Sequence, residues 1–128
     1  ANIPQGPRFP DMGHAYDPEL IALADEIAAE KNILVRHGVY LATQGPTYET
    51  PAEYRMFAKW GGDAVGMSTV PEVIVARHCG IRCFGMSIIT DLGGMAEVVK
   101  ITHEDVQKAA KEAQPRMTEI MREMIARS

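Results

Sequence analysis

Three short segments place polar or reactive side chains where strands read as ending: Gly45-Pro46-Thr47-Tyr48-Glu49, Gly66-Met67-Ser68-Thr69 and Thr90-Asp91. In open α/β sheets, ligands gather at the carboxyl ends of the strands. Three loops at one rim can converge on a single small molecule. Pro51 and Pro71 mark helix starts directly after the first two segments, and their positive dipole ends suit a bound anion. Tyr48 beside Glu49 sets an aromatic ring and a carboxylate side by side, which a plain surface loop does not need. There is no G-x-G-x-x-G after a strand and no G-x-x-x-x-G-K-[ST], so neither a dinucleotide nor an ATP site is signalled. A G-x-S-x-G elbow is also lacking. Phosphorylated metabolites and nucleosides remain open.

Taken one at a time, these residues have plainer readings. Tyr48 and Met67 fit core packing, Glu49 a solvated acid at a helix start, and Ser68 a helix cap. His103 fits an exposed position early in a helix. His14, His37 and His78 carry no role beyond structure, and Glu72 and Arg77 suit structure or subunit contact. Met95, Met117, Met121 and Met124 suit amphipathic packing.

The elements that must position these groups follow from local signals. Asp17 before Pro18 reads as a helix cap, and Leu20, Leu23, Ala24, Ile27 and Ala28 form an apolar stripe. Leu34 to Thr43 reads as a strand. Thr50 with Glu53 makes a capping box for a helix that stops at Gly61-Gly62. Asp63 to Met67 reads as a short buried strand, followed by a helix from Pro71 to Gly80. Ile81 to Thr90 reads as a third strand. Thr102 with Asp105 opens a long last helix, with a kink expected at Pro115.

Strand and helix in alternation predict an α/β fold with parallel pairing. The nearly all-apolar run Ile81 to Ile89 suits a sheet covered on both faces. Three parallel strands would leave two bare edges, which natural domains avoid. The chain therefore reads as part of a larger sheet.

The 128 residues are the size of one ordinary domain, with 46% apolar residues and a net charge of −4. The 13 Lys and Arg are scattered, which argues against a nucleic-acid footprint. No apolar run approaches the roughly 18 residues of a membrane span, and the first residues lack a secretory-signal pattern. The two cysteines, Cys79 and Cys83, read as buried reduced thiols in a cytoplasmic protein. Neither they nor any other cluster signals a metal site.

The segments GPTYETPAE, GGDAVGMSTVPEVIVARHCG, SIIT and THEDV, with GPRFPDMGHAYD upstream, resemble the C-terminal part of the trimeric purine nucleoside phosphorylases. The resemblance implies a mixed, largely parallel sheet flanked by helices, with residues 1–128 as the C-terminal portion of one domain and its N-terminal half absent. It also implies phosphorolysis of inosine- or guanosine-type nucleosides to free base and ribose 1-phosphate. It further implies inorganic phosphate as co-substrate, no metal or organic cofactor, and a homotrimer as the complete enzyme. Glu49 resembles the glutamate that accepts hydrogen bonds from the purine, and Tyr48 the aromatic beside base and ribose. Met67 matches the methionine under the ribose, Ser68 a phosphate ligand, and His103 the histidine at the ribose 5′-hydroxyl. Phe9 resembles the aromatic lent to a neighbouring subunit's ribose pocket. Asp91, with Glu49, stands at the catalytic position facing the base.

Asp91 departs from the asparagine most of the family has there. An amide donates to N7, whereas an ionised carboxylate only accepts and repels O6. Either Asp91 is protonated when the base is bound, or the 6-position is read differently. Two other readings stand beside the first. One is the related methylthioadenosine phosphorylase, disfavoured because His103 suits a free 5′-hydroxyl. The other is a truncated, non-catalytic module that binds purines or pairs with another subunit.

Overall fold

In this computed structural model, residues 3–93 and 102–128 are described, and Met95 lies outside them. Along the chain the elements are α1 (Pro18–Glu30), β1 (Tyr40–Ala42), α2 (Pro51–Lys59), β2 (Ala64–Gly66), α3 (Val70–His78) and α4 (His103–Arg127). They divide into two compact units. One comprises Ala1–Val35, Ser68–Met86 and Ile120–Ser128, the other Arg36–Met67 and Ser87–Glu119.

The first unit is organised around α1. Asp17 caps it, its Oδ1 accepting from the backbone N–H groups of Glu19 at 2.9 Å and Leu20 at 3.1 Å. Arg82 donates to Asp17 Oδ1 at 2.9 Å and to Glu19 at 2.8 Å, tying the helix start to a segment 65 residues away. This guanidinium holds the Asp17 carboxyl far below the usual carboxylate range. The backbone follows suit, with Asp17 N–H donating to the Cys83 carbonyl at 2.8 Å. The expected stripe is the buried face. Ala24, Ile27 and Ala28 pack with Ile120 and Met124 from the end of α4, and Leu20, Leu23, Ile33, Val35, Phe84 and Met86 surround them. Ile27 has no exposure, so truncating it to Ala would cost about 2–5 kcal/mol through lost contacts and a cavity. Arg127 closes the same corner by donating to Glu30 at 2.6 Å and Glu123 at 3.1 Å. Cys83 is buried here, but Cys79 is exposed and both are free. Cys79 follows the last turn of a helix that has no buried residue, so the expectation of two buried thiols holds only for Cys83.

The second unit is built on a parallel pair. β1 and β2 align Tyr40 with Ala64, Leu41 with Val65 and Ala42 with Gly66. The ladder extends at both ends, through Ala64 N–H to the Val39 carbonyl at 3.1 Å and Thr43 N–H to the Gly66 carbonyl at 2.9 Å. Asp63 secures the entry to β2 by accepting from Val39 N–H at 2.8 Å. Parallel strands need a crossover, and α2 supplies it. Its capping box is complete: Thr50 accepts from Glu53 N–H, and Glu53 accepts from Thr50 N–H at 2.6 Å. The matching box at α4 has Thr102 N–H donating to Asp105 at 3.0 Å and Asp105 N–H donating back to the threonine at 3.2 Å. α4 continues as one helix through Pro115.

The strands are shorter than expected. Leu34 to Thr43 is reduced to the three residues of β1, and Ile81 to Thr90 forms no ladder among the described residues. A strand exists only where a partner offers its N–H and C=O groups, and the described residues supply one pair. The segment Phe84 to Thr90 nonetheless alternates between covered and exposed residues, the period of a pleated strand with one face covered. Coverage of both faces, expected from its composition, is not seen among the described residues. Ile89 is 59% exposed and Leu34 78%.

Candidate functional site

The loop from β1 to α2 carries the sequence Gly45-Pro46-Thr47-Tyr48-Glu49, and Glu49 is its best-anchored side chain. Thr43, just past β1, donates its hydroxyl to Glu49 Oε1 at 3.0 Å. Tyr54, one turn into α2, donates its phenol to Oε2 at 3.3 Å. Each carboxylate oxygen thus holds one neutral donor. A carboxylate has roughly four acceptor positions, so about half of its capacity stays available to a ligand's N–H groups.

Asp91 belongs to the same cluster. The Tyr54 phenol is pushed up to about 12, first by its burial and then by the negative charges of Glu49 and Asp91. At Asp91 itself, Oδ1 accepts from the Thr90 hydroxyl at 2.9 Å. The Tyr54 ring lies directly over Gly93, where an added Cβ would collide with it. One tyrosine therefore touches both the Glu49 loop and the Asp91–Gly93 segment.

Met67, at the end of β2, lies against the same loop. Gly45 has φ +62° and lies so close to the Met67 sulfur that an added Cβ would displace that side chain. Only glycine meets both demands without strain. Tyr48 is 51% exposed and Met67 43%, so neither is the core residue its type suggests. An aromatic ring, a thioether and two carboxyls thus share one loop cluster, a set that suits a flat heterocycle with N–H groups at its edge.

The remaining predicted residues are placed differently. Ser68 is exposed just before α3 and shares a hydrogen bond with Thr69 at 3.3 Å. Thr69 takes φ +73° and makes no side-chain cap. That conformation is rare for a β-branched residue and gathers at ligand sites. His103, the first residue of α4, is exposed and its Nε2 pairs with the Gln107 side chain at 3.0 Å. Phe9 is 83% exposed, with the Arg8 guanidinium 5.5 Å from its ring centre. The structure thus brings Glu49, Asp91, Tyr48 and Met67 to one cluster, while the described contacts of His103 and Phe9 lie elsewhere. Thr43 and Tyr54 are members of this cluster that reading the sequence missed. A hydroxyl at a strand's carboxyl end, next to a candidate loop, was the available signal for Thr43. Among the described residues, no group of three or more His, Cys, Asp or Glu could hold a metal ion. No helix among them is long and apolar enough to cross a membrane.

A parallel βαβ unit with a carboxylate-bearing loop at the strand ends defines the class as α/β. The chain belongs to the phosphorylase superfamily, which matches residues 1–126. It is 44% identical over 121 residues to purine nucleoside phosphorylase 1 of Bacillus subtilis, an alignment covering 94% of this chain and 45% of that protein. Among solved structures, purine nucleoside phosphorylase from Schistosoma mansoni in complex with inosine superposes with a TM-score of 0.90 at 42% identity, over 94% of this chain and 44% of that one. Isoform 2 from the same organism, in complex with cytosine and ribose-1-phosphate, gives 0.90 at 45% identity, over 95% and 44%. The chain spans less than half the length of these relatives.

Proposed function

We propose that the protein carrying this chain is a purine nucleoside phosphorylase, cleaving inosine- or guanosine-type nucleosides with inorganic phosphate. The observation that carries the reading is the Glu49 carboxylate, held at both oxygens by Thr43 and Tyr54 beside the exposed ring of Tyr48. In this reading Glu49 accepts from the N–H groups of the purine, and Asp91 meets the base near its 6-position. Tyr48 and Met67 cover base and ribose. His103 binds the 5′-hydroxyl, Ser68 the phosphate, and Phe9 the ribose pocket of a neighbouring subunit in a trimer.

Breaking the N-glycosidic bond builds positive charge on the sugar and negative charge on the departing purine. Phosphate offsets the first. Hydrogen-bond donors to N7 and O6 of the base stabilise the second, at about 3–4 kcal/mol for each well-aimed donor. No metal or organic cofactor enters these steps, and the site is that of a cytoplasmic nucleoside-salvage enzyme. The isolated chain has a second reading, as a non-catalytic part of that enzyme. The bare apolar side chains Leu34, Ile81 and Ile89 favour it, because further strands would cover them.

The experiment is steady-state phosphorolysis of inosine by the full-length protein and its Glu49→Ala variant. Losing a charged hydrogen-bond partner should lower kcat/KM by a factor of about 10–150, the equivalent of roughly 1.5–3 kcal/mol. A change of less than about twofold would take Glu49 out of the site.

A further inference from the structure

Tyr54 plays no direct part in the reaction as set out above, yet it touches both the Glu49 loop and the Asp91–Gly93 segment. Its hydroxyl donates to Glu49 Oε2 at 3.3 Å, while Thr43 holds Oε1 at 3.0 Å. Its ring is half-buried and rests on Gly93, two residues beyond Asp91. The backbone beneath it is fixed by the capping box and by Tyr54 N–H donating to the Thr50 carbonyl at 3.1 Å. We propose that Tyr54 and Thr43 are positioning residues that clamp the Glu49 carboxylate for the base, and that Tyr54 also sets its spacing from the Asp91 segment. The proposal rests on the phosphorylase reading of Glu49.

The chemistry requires such a clamp. A free glutamate has three side-chain torsions and samples many directions, and freezing it on binding costs affinity. Two donors on opposite oxygens leave one orientation, with the unused lone pairs facing the ligand. Both donors are neutral, so the carboxylate keeps the full charge it uses as an acceptor. The Tyr54 phenol also holds its proton more tightly than usual, since its burial and the charges of Glu49 and Asp91 oppose ionisation. It therefore stays a donor. Gly93 is part of the device. Its φ is not in the left-handed region, and the nearest atoms an added Cβ would meet are those of the Tyr54 ring.

The test uses the full-length enzyme with inosine and phosphate varied separately. Tyr54→Phe and Thr43→Val should each raise KM for inosine by about tenfold, as expected for a lost hydrogen bond to a charged group. kcat and KM for phosphate should stay within about twofold, because ground-state holding of the base is what is lost. Thr43→Ser should restore most of the loss, and Gly93→Ala should shift KM in the same direction as Tyr54→Phe. In a Glu49→Ala background, Tyr54→Phe should add nothing, since residues that act through one another are not additive. Equal added loss in that background, or loss of kcat with KM unchanged, overturns the clamp and leaves Tyr54 a packing residue. A crippled Glu49→Ala alongside Tyr54→Phe and Thr43→Val that match the parent overturns the clamp alone. A Glu49→Ala variant equal to the parent overturns the phosphorylase reading and the clamp together. Should Tyr54→Phe fail to fold, Thr43→Val and its rescue by Ser decide the matter.

Discussion

Tyr54, five residues beyond Glu49 and inside the following helix, donates its phenol to Oε2 of that glutamate. The pairing joins a loop acid to a rigid element. α2 starts at Pro51 under a complete capping box, so the first helical turn holds Tyr54 in place and Tyr54 in turn restrains Glu49. A site set on element ends is better defined than one carried by loop alone.

Asp91 should control discrimination at the 6-position of the purine. Its carboxyl acts on the Tyr54 phenol, and a carboxylate there accepts where an amide would donate. In the full-length enzyme, Asp91→Asn should raise the ratio of inosine to adenosine turnover, with the Asp form more tolerant of adenosine. Parallel kinetics on the two nucleosides measure it, and an unchanged ratio would place this side chain away from the base.

His103 should act selectively on the sugar. Its imidazole pairs with Gln107, an arrangement it can exchange for a ribose hydroxyl at little cost. His103→Ala should hurt inosine by about tenfold more than 5′-deoxyinosine, the scale of one lost hydrogen bond. Equal losses on both substrates would mean that the histidine serves structure.

The half-buried phenol of Tyr54 predicts an alkaline loss of stability. Its pKa is raised from 10.0 to about 12, so the folded state binds this proton more tightly than the unfolded chain. The stabilisation is complete below about pH 10 and is lost as pH rises towards 12. Denaturant titrations across that range should show a steeper fall for the parent than for Tyr54→Phe. Identical slopes would contradict the raised value.

The 128-residue chain by itself should be neither active nor monomeric. Leu34, Trp60 and Ile89 are 78%, 69% and 59% exposed, and bare apolar surface of this kind drives association. In the proposed reading Ser68 is the one phosphate ligand this chain supplies, and one neutral hydroxyl cannot hold a dianion for attack on the sugar. Light scattering should find higher-order species. With saturating phosphate and inosine, turnover of roughly 1 per second or more would show that a complete site can be built from these residues.

What was legible in the sequence was what neighbours along the chain decide. The caps at Asp17, Thr50 and Thr102 each act within three residues, so residue type and spacing reveal them before any fold is known. The stripe from Leu20 to Ala28 is equally local, because helical periodicity alone puts those residues on one face. Glu49 and Asp91 were legible as candidates because each lies in a segment that follows a strand-like run, and motif resemblance sharpened their roles. What only the tertiary structure decided was who meets whom. Ile81 to Thr90 has the composition of a strand, but a ladder needs a partner, and composition does not say whether one is present. Tyr54 reads as one more helical aromatic until the fold brings Gly93, 39 positions on, beneath its ring. Local hydrogen bonds and periodicity are written in adjacent residues. Contacts across dozens of residues depend on how the chain closes, and no short window of sequence contains them.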